Sequence, residues 1–220
     1  MNTIYLNKEE NNEYAYIGII NDFINNNELE FLHNINDFKG GSTSFGDIPR
    51  LQKWYQQEGK YFSRTWKDQN LERWISHIYE PELLSLQEYI QKQINNLEIY
   101  NLHGINKPTI NSCLINKYRN GNDSIRPHRD NQTTFGDNPS VIGISYGDER
   151  EIIFKRIHYN PDKMNSIKLD KNNPQEIRLT LPSNSMFIMA GAIQKYFSHE
   201  IQKTDSSNIR YSMTFRQFYE

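Results

Sequence analysis

The sequence predicts an α+β fold, with helices in the first half and a β-sandwich or barrel-like core in the second. Two segments before residue 110, at 26–38 and 81–94, carry apolar residues at helical spacing. From about residue 110 the apolar period changes to two, in several short runs separated by turn signals. A complement of 3 Trp, 14 Tyr and 11 Phe in 220 residues supplies the apolar bulk that offsets the entropy of ordering a core. A disordered or fibrous chain is thereby excluded.

In order along the chain, the first ten residues turn acidic at Glu9-Glu10 before any signal-like apolar stretch begins. Cys113 stands alone, which rules out an internal disulfide framework and suits a reducing compartment. An intracellular location, cytoplasmic or nuclear, is the expectation. No apolar run approaches the ~20 residues of a membrane span. Leu29, Phe31, Leu32, Ile35 and Phe38 predict a short amphipathic helix, and residues 40–50 an irregular loop. Residues 50–66 are basic and aromatic without clear periodicity. A stronger helix opens at Pro81, with Glu82 in its first turn and Leu83, Leu84, Leu86, Tyr89, Ile90 and Ile94 on one broad face. Strands are predicted at 111–118, 141–146, 151–157, 177–181, 185–190 and 209–219. Asn120-Gly121, Asn138-Pro139 and Gly147-Asp148 mark turns between them.

Net charge is −2, with a pI near 6.3, so the composition does not announce a nucleic-acid binder. Residues 1–49 hold two lysines against eight acidic residues, −6, which leaves the remainder at +4 and allows a mildly basic working surface.

The chemistry concentrates at Arg126-Pro127-His128-Arg129-Asp130. On extended backbone, positions i and i+2 share a face, so His128 and Asp130 can converge on one point. His199, after a predicted strand, offers a third ligand. Two imidazoles and one carboxylate on one face leave three positions open on an octahedral ion, the arrangement of non-heme Fe(II) oxygenases. The last strand has clean parity: Arg210, Ser212, Thr214 and Arg216 on one face, Tyr211, Met213 and Phe215 on the other. Two inward arginines can meet opposite ends of a small dicarboxylate, whereas a solvated edge strand would carry the same residues to no purpose. His33, His77, His103 and His158 have no partner at ligand spacing and read as surface or core residues. Cys113, on a predicted strand, reads as packed.

These residues resemble the AlkB family of Fe(II)- and 2-oxoglutarate-dependent dioxygenases, of the nucleic-acid alkylation-repair type. Residues 116–125, Asn-Lys-Tyr-Arg-Asn-Gly-Asn-Asp-Ser-Ile, are similar to the family's Asn-x-Tyr segment. Residues 139–147 resemble its Pro-to-Ser-Leu-Gly strand, and 181–189 the strand before its distal histidine. Residues 49–63, opening Pro-Arg-Leu-Gln-Lys-Trp-Tyr, are similar to the substrate lid of repair members. The resemblance covers roughly residues 48–218.

The resemblance implies a double-stranded β-helix (jelly roll) core with N-terminal helices and a substrate lid. It reads as a single domain over 1–220, with helices and nucleotide-recognition lid in 1–110 and the catalytic core in 111–220. His128, Asp130 and His199 would hold Fe(II). Arg210 and Tyr118 would take the distal carboxylate of 2-oxoglutarate, with Asn116, Ser212 and Arg216 completing that site. The implied reaction uses O₂ and 2-oxoglutarate to demethylate an alkylated base in DNA or RNA, yielding succinate and formaldehyde. A flipped base would stack on Phe62, with Tyr61 beside it. Arg50 and Lys53 are candidates for phosphate contact. Trp54 reads as lid core; Tyr55 is either lid core or a substrate contact. Single-stranded nucleic acid, a monomer and no membrane partner are expected.

Two departures from the family pattern stand out. Gln132, after Asn131, offers a neutral amide where repair members place an acid against cationic bases such as 1-methyladenine and 3-methylcytosine. Ser212 replaces an Asn. A same-fold hydroxylase of a protein or small molecule, or a catalytically silent nucleic-acid-binding module, therefore stays open as an alternative.

Overall fold

The computed structural model describes residues 1–9, 12–43, 46–56, 60–62, 74–130, 132–160 and 167–219. Ser63, Trp66 and Asn131, which the sequence reading used, lie outside them. Strands β1 (Asn2–Lys8) and β2 (Tyr14–Ile20) come first, then two 3₁₀ turns (Asn26–Glu28 and Glu30–His33). A small hairpin, β3 (Ser42–Thr43) and β4 (Gly46–Asp47), precedes β5 (Leu51–Tyr55) and helix α1 (Pro81–Ile94). The remainder runs β6 (Ser112–Tyr118), β7 (Ile125–His128), α2 (Gln132–Phe135), β8 (Val141–Gly147), β9 (Arg150–Arg156) and β10 (Glu176–Leu181). It closes with β11 (Met186–Gly191), α3 (Ile193–Tyr196), β12 (Phe197–Ile201) and β13 (Arg210–Arg216).

Two antiparallel sheets form the jelly roll. The larger has the order β1-β2-β11-β8-β13-β6-β5 and the smaller β10-β9-β12-β7. Between them, Ile17, Tyr118, Val141, Phe187 and Met189 of the large sheet meet Ile152, Phe154, Leu179, Leu181, Phe197 and Ile201 of the small one. The other face of the large sheet packs on α1. Leu83, Leu86, Ile90 and Ile94 of the helix join Cys113, Ile115, Ile142, Ile144, Tyr211, Met213 and Phe215. The apolar parity of β13 is thus used as its alternation requires, with Tyr211, Met213 and Phe215 toward the helix. Cys113 is fully buried in this layer, and burial pushes its thiol up.

The first half differs from its sequence reading. Residues 26–38 form 3₁₀ turns and not one amphipathic helix. Leu29, Leu32 and Ile35 are buried at a spacing of three, the period of a 3₁₀ turn, while Asn25, Asn26 and Asn27 at the start disfavour an α-helix by competing for backbone groups. Strands β1, β2 and β5 also join the large sheet, so three of its seven strands precede residue 110. α1 alone forms as predicted there, opened by Pro81.

Candidate metal and cosubstrate site

His128 ends β7 and His199 lies at the middle of β12, and the two residues are direct partners in the antiparallel ladder. Side chains of such a pair stand on the same face, and the two imidazole centroids are 4.2 Å apart. Asp130 follows His128 by two positions. The ligand atoms of His128, Asp130 and His199 all lie within 4.8 Å of one another, and no other such group of His, Cys, Asp or Glu occurs among the described residues.

Each ligand is held in the form a metal needs. His128 Nδ1 is 3.0 Å from the Arg126 carbonyl. A carbonyl only accepts, so Nδ1 carries the proton and Nε2 keeps its lone pair for a metal. Burial lowers the proton affinity of His128, and lowers that of His199 well below the usual value, with the neighbouring imidazole adding to it. Burial opposes ionisation of Asp130, but the Arg216 guanidinium, through its charge and its hydrogen bonds, outweighs it and holds the carboxyl below its ordinary range. Two neutral imidazoles and one carboxylate on one face fit Fe(II).

Arg216 forks onto Asp130, Nε to Oδ2 at 2.8 Å and Nη2 to Oδ1 at 3.2 Å, while Nη1 donates to the Thr214 hydroxyl at 2.8 Å. It therefore stands at the metal end. Arg210 lies at the opposite end of β13, 1% exposed, its Nε donating to Ser145 Oγ at 3.1 Å. Its Nη1 is buried without a hydrogen-bond partner, and its guanidinium lies 5.0 Å from the Tyr118 ring centroid. A buried cationic donor left open in this way fits an incoming carboxylate. Between the two arginines, Ser212 pairs in register with Asn116 and Ser145. Asn116 Oδ1 accepts from Arg50 Nε at 2.8 Å and from Gln52 Nε2 at 3.0 Å. One sheet face thus carries Gln52, Asn116, Ser145, Arg210, Ser212 and Arg216, an unusual concentration of buried polar groups.

The residues expected to meet substrate divide. Arg50 turns inward, bonded to Asn116 and to the Ser124 carbonyl at 3.2 Å, and does not project as a surface phosphate contact. Lys53 is likewise buried, paired with Glu80 at 3.1 Å. Tyr55 is a core residue: it is fully buried and its hydroxyl donates to Glu80 at 2.8 Å. Register explains this, since Tyr55 pairs with Cys113, which pairs with Phe215, all on the helix-facing side. Its neighbour Trp54, 1% exposed on β5 of the large sheet, points to the site side, into a cluster with Trp74, Leu114 and Phe135. Phe62 packs against Trp54, Trp74 and Phe135 at 5.0, 5.3 and 5.4 Å between ring centroids. That cluster adjoins the metal end, because the Arg216 guanidinium lies 5.0 Å from the Phe135 ring. Tyr61 is half-buried in a bridge to Ile75, and Gln132 is half-buried at the start of α2.

Two site residues escaped the sequence reading. Gln194, 2% exposed on α3, accepts the Asp130 N–H at 3.2 Å and places Nε2 3.4 Å from Oδ2 of the same residue. Arg150, 2% exposed, lies with its guanidinium 5.6 Å from the Tyr118 ring.

The family model of the 2OG-Fe(II) oxygenase superfamily matches residues 19–216. The chain belongs to that superfamily. Its cofactor is Fe(II), with 2-oxoglutarate and O₂ as cosubstrates, and the resemblance to AlkB is borne out by the relatives. The chain is 28% identical over 172 residues to human alpha-ketoglutarate-dependent dioxygenase alkB homolog 3, covering 78% of this chain and 52% of that protein. The Bos taurus protein of the same name gives the same identity and coverage. The Arabidopsis thaliana DNA oxidative demethylase ALKBH2 is 26% identical over 118 residues, 48% of this chain and 37% of that one. The chain therefore spans about half the length, or less, of these relatives. The solved structure of OsALKBH1 shares the fold at a TM-score of 0.56 and 12% identity, covering 91% of this chain and 97% of that one.

Proposed function

We propose that the chain is an Fe(II)- and 2-oxoglutarate-dependent dioxygenase that demethylates alkylated bases in DNA or RNA, releasing formaldehyde and succinate. The observation that carries it is the meeting of His128, His199 and Asp130, from β7, β12 and the residues just after β7, with the Arg210-to-Arg216 face of the large sheet through the Arg216–Asp130 ion pair. When bound, iron with 2-oxoglutarate and O₂ supplies the oxidising chemistry. The protein's part is positioning. His128, Asp130 and His199 would hold the metal, and Arg216 keeps Asp130 ionised and aimed. Arg210 and Tyr118 would take the distal carboxylate, with Asn116 and Ser212 lining the path between.

Phe62, with the Trp54–Trp74–Phe135 cluster beneath it, supports recognition of a base by stacking. Such a base must leave its stack to reach the metal, which costs least in a single strand. We therefore assign single-stranded DNA or RNA as substrate, with Tyr61 and Gln132 as further contacts, a monomer acting inside the cell, and residues 1–220 working as one domain. The relatives named as a demethylase and as alkB homologues support the substrate class. Gln132 favours a neutral methylated base over a cationic one, since an amide offers no negative charge.

The test is formaldehyde release, with Fe(II), 2-oxoglutarate and ascorbate, from single-stranded and duplex oligonucleotides carrying 1-methyladenine, 3-methylcytosine or N6-methyladenine. Release from a single strand, absent in His128→Ala, is expected. Succinate formation without formaldehyde from any of them would move the assignment to a protein or small-molecule hydroxylase.

A further inference from the structure

Beside Tyr118, at the Arg210 end of the polar sheet face, lie two buried guanidiniums and not one. Arg210 opens β13 and Arg150 opens β9, so they reach the same place from different sheets. Both lie over Tyr118, at 5.0 and 5.6 Å from the ring centroid, and Tyr118 is itself 1% exposed. Among the described residues neither arginine has a carboxylate within 4.0 Å. Asp123 directs its carboxylate at Arg119, at 2.8 and 2.9 Å, and gives Arg150 only its backbone carbonyl, at 3.0 Å. Arg150 also donates to the Gln202 carbonyl. Two buried cations with no carboxylate in contact are costly in a low dielectric, a cost that Asp148, acting on both, and Asp123, acting on Arg150, offset only from beyond contact distance. Burial makes both guanidiniums easier to deprotonate than usual, and the Arg150 charge adds to the cost at Arg210.

We propose that Arg150 is a positioning residue for the cosubstrate, setting selectivity for a keto acid with a distal carboxylate through its charge over Tyr118 and its grip on the Asp123 and Gln202 carbonyls. The inference rests on the assignment of Arg210 and Tyr118 to that carboxylate. An entering carboxylate would meet Arg210 directly and feel the Arg150 charge across the buried Tyr118 ring. Arg150 would also fix the ring of Tyr118 by a cation–π contact on a desolvated face. Its two carbonyl partners lie beyond β6 and beyond β12, so it ties the segments leaving the cosubstrate strand and the His199 strand into one wall.

Anaerobic calorimetric titration of the Mn(II)-loaded protein with 2-oxoglutarate and with 2-oxopentanoate, which lacks the distal carboxylate, tests this. The wild type should bind 2-oxoglutarate much more tightly. In Arg150→Met the ratio of the two affinities should fall roughly tenfold, the order of a desolvated cation–π contact, with 2-oxopentanoate binding held within about twofold. An unchanged ratio, or equal losses for both acids, overturns the proposal. Should Arg150→Met fail to fold, Arg150→Gln keeps an N–H donor for the two carbonyls and carries the same expectations. A wild type that does not distinguish the two acids would instead overturn the assignment of Arg210 and Tyr118.

Discussion

The carboxylate of Asp130 is gripped from two sides. Arg216 reaches both oxygens and Gln194 approaches Oδ2 while also accepting the backbone N–H, so Oδ1, with one donor at 3.2 Å, is the freer oxygen for a metal. Groups that orient a ligand in this way typically contribute about 10–100-fold in metal affinity. Gln194→Leu should therefore weaken Mn(II) binding by about that factor without unfolding the chain, as read by electron paramagnetic resonance titration. An affinity within twofold of wild type would show that Arg216 alone orients Asp130. His-x-Asp was legible in the sequence because its two residues are only two positions apart, His128 closing β7 and Asp130 following just beyond it. Gln194 and Arg150 were not, since each meets its partner across a gap of 64 or 32 residues that only the register of two sheets closes.

Burial on both faces hid some strands and not others. β8, β11 and β13 were expected although they are buried along most or all of their length, whereas β2, β5 and β12 were not, nor was the partly buried β7. β2 is Tyr-Ala-Tyr-Ile-Gly-Ile-Ile, its five central residues fully buried, so it lacks the alternation that marks a half-exposed strand. β5 places Gln52 and Lys53 on opposite faces, both 8% exposed, because one face lines the site and the other meets Glu80. The later strands, with an apolar side against α1 and a distinct inner side, show their period in the sequence. β1 is an exposed edge strand, and Glu9 just beyond it pairs with Arg156 of β9 at 2.8 Å, with side-chain exposures of 3% and 7%. Burial opposes the charge on Glu9, but Arg156, Asn7 and Tyr5 together hold its carboxyl below the ordinary value of 4.5. A carboxyl lowered in the folded state stabilises above the unfolded pKa, and that stability is lost as pH falls through the lowered value. Glu9→Gln should cost about 3 kcal/mol at pH 7, because buried Arg156 is left with only Asp170, at 3.8 Å. Thermal unfolding should show the gap from wild type closing as pH drops below about 4.5. A gap that persists at low pH would mean that packing, and not charge, holds β1.

At the scale of the whole molecule, each sheet supplies half of the proposed site. The small sheet carries His128 and His199, with Asp130 just beyond β7, the large sheet carries the Arg210-to-Arg216 face, and α1 backs the large sheet on its other side. The jelly roll brings residues 128 and 199 together on the small sheet, and 116, 150 and 210 around Tyr118 and the polar face of the large sheet, from five different strands. The measurement that tests this arrangement most directly is visible absorbance after anaerobic addition of Fe(II) and 2-oxoglutarate. The wild type should develop the weak charge-transfer band of a keto acid chelated to ferrous iron, and His128→Ala, Asp130→Ala and His199→Ala should each lose it. A band of full intensity in any of these three variants, or none in the wild type, would contradict the assignment of the site.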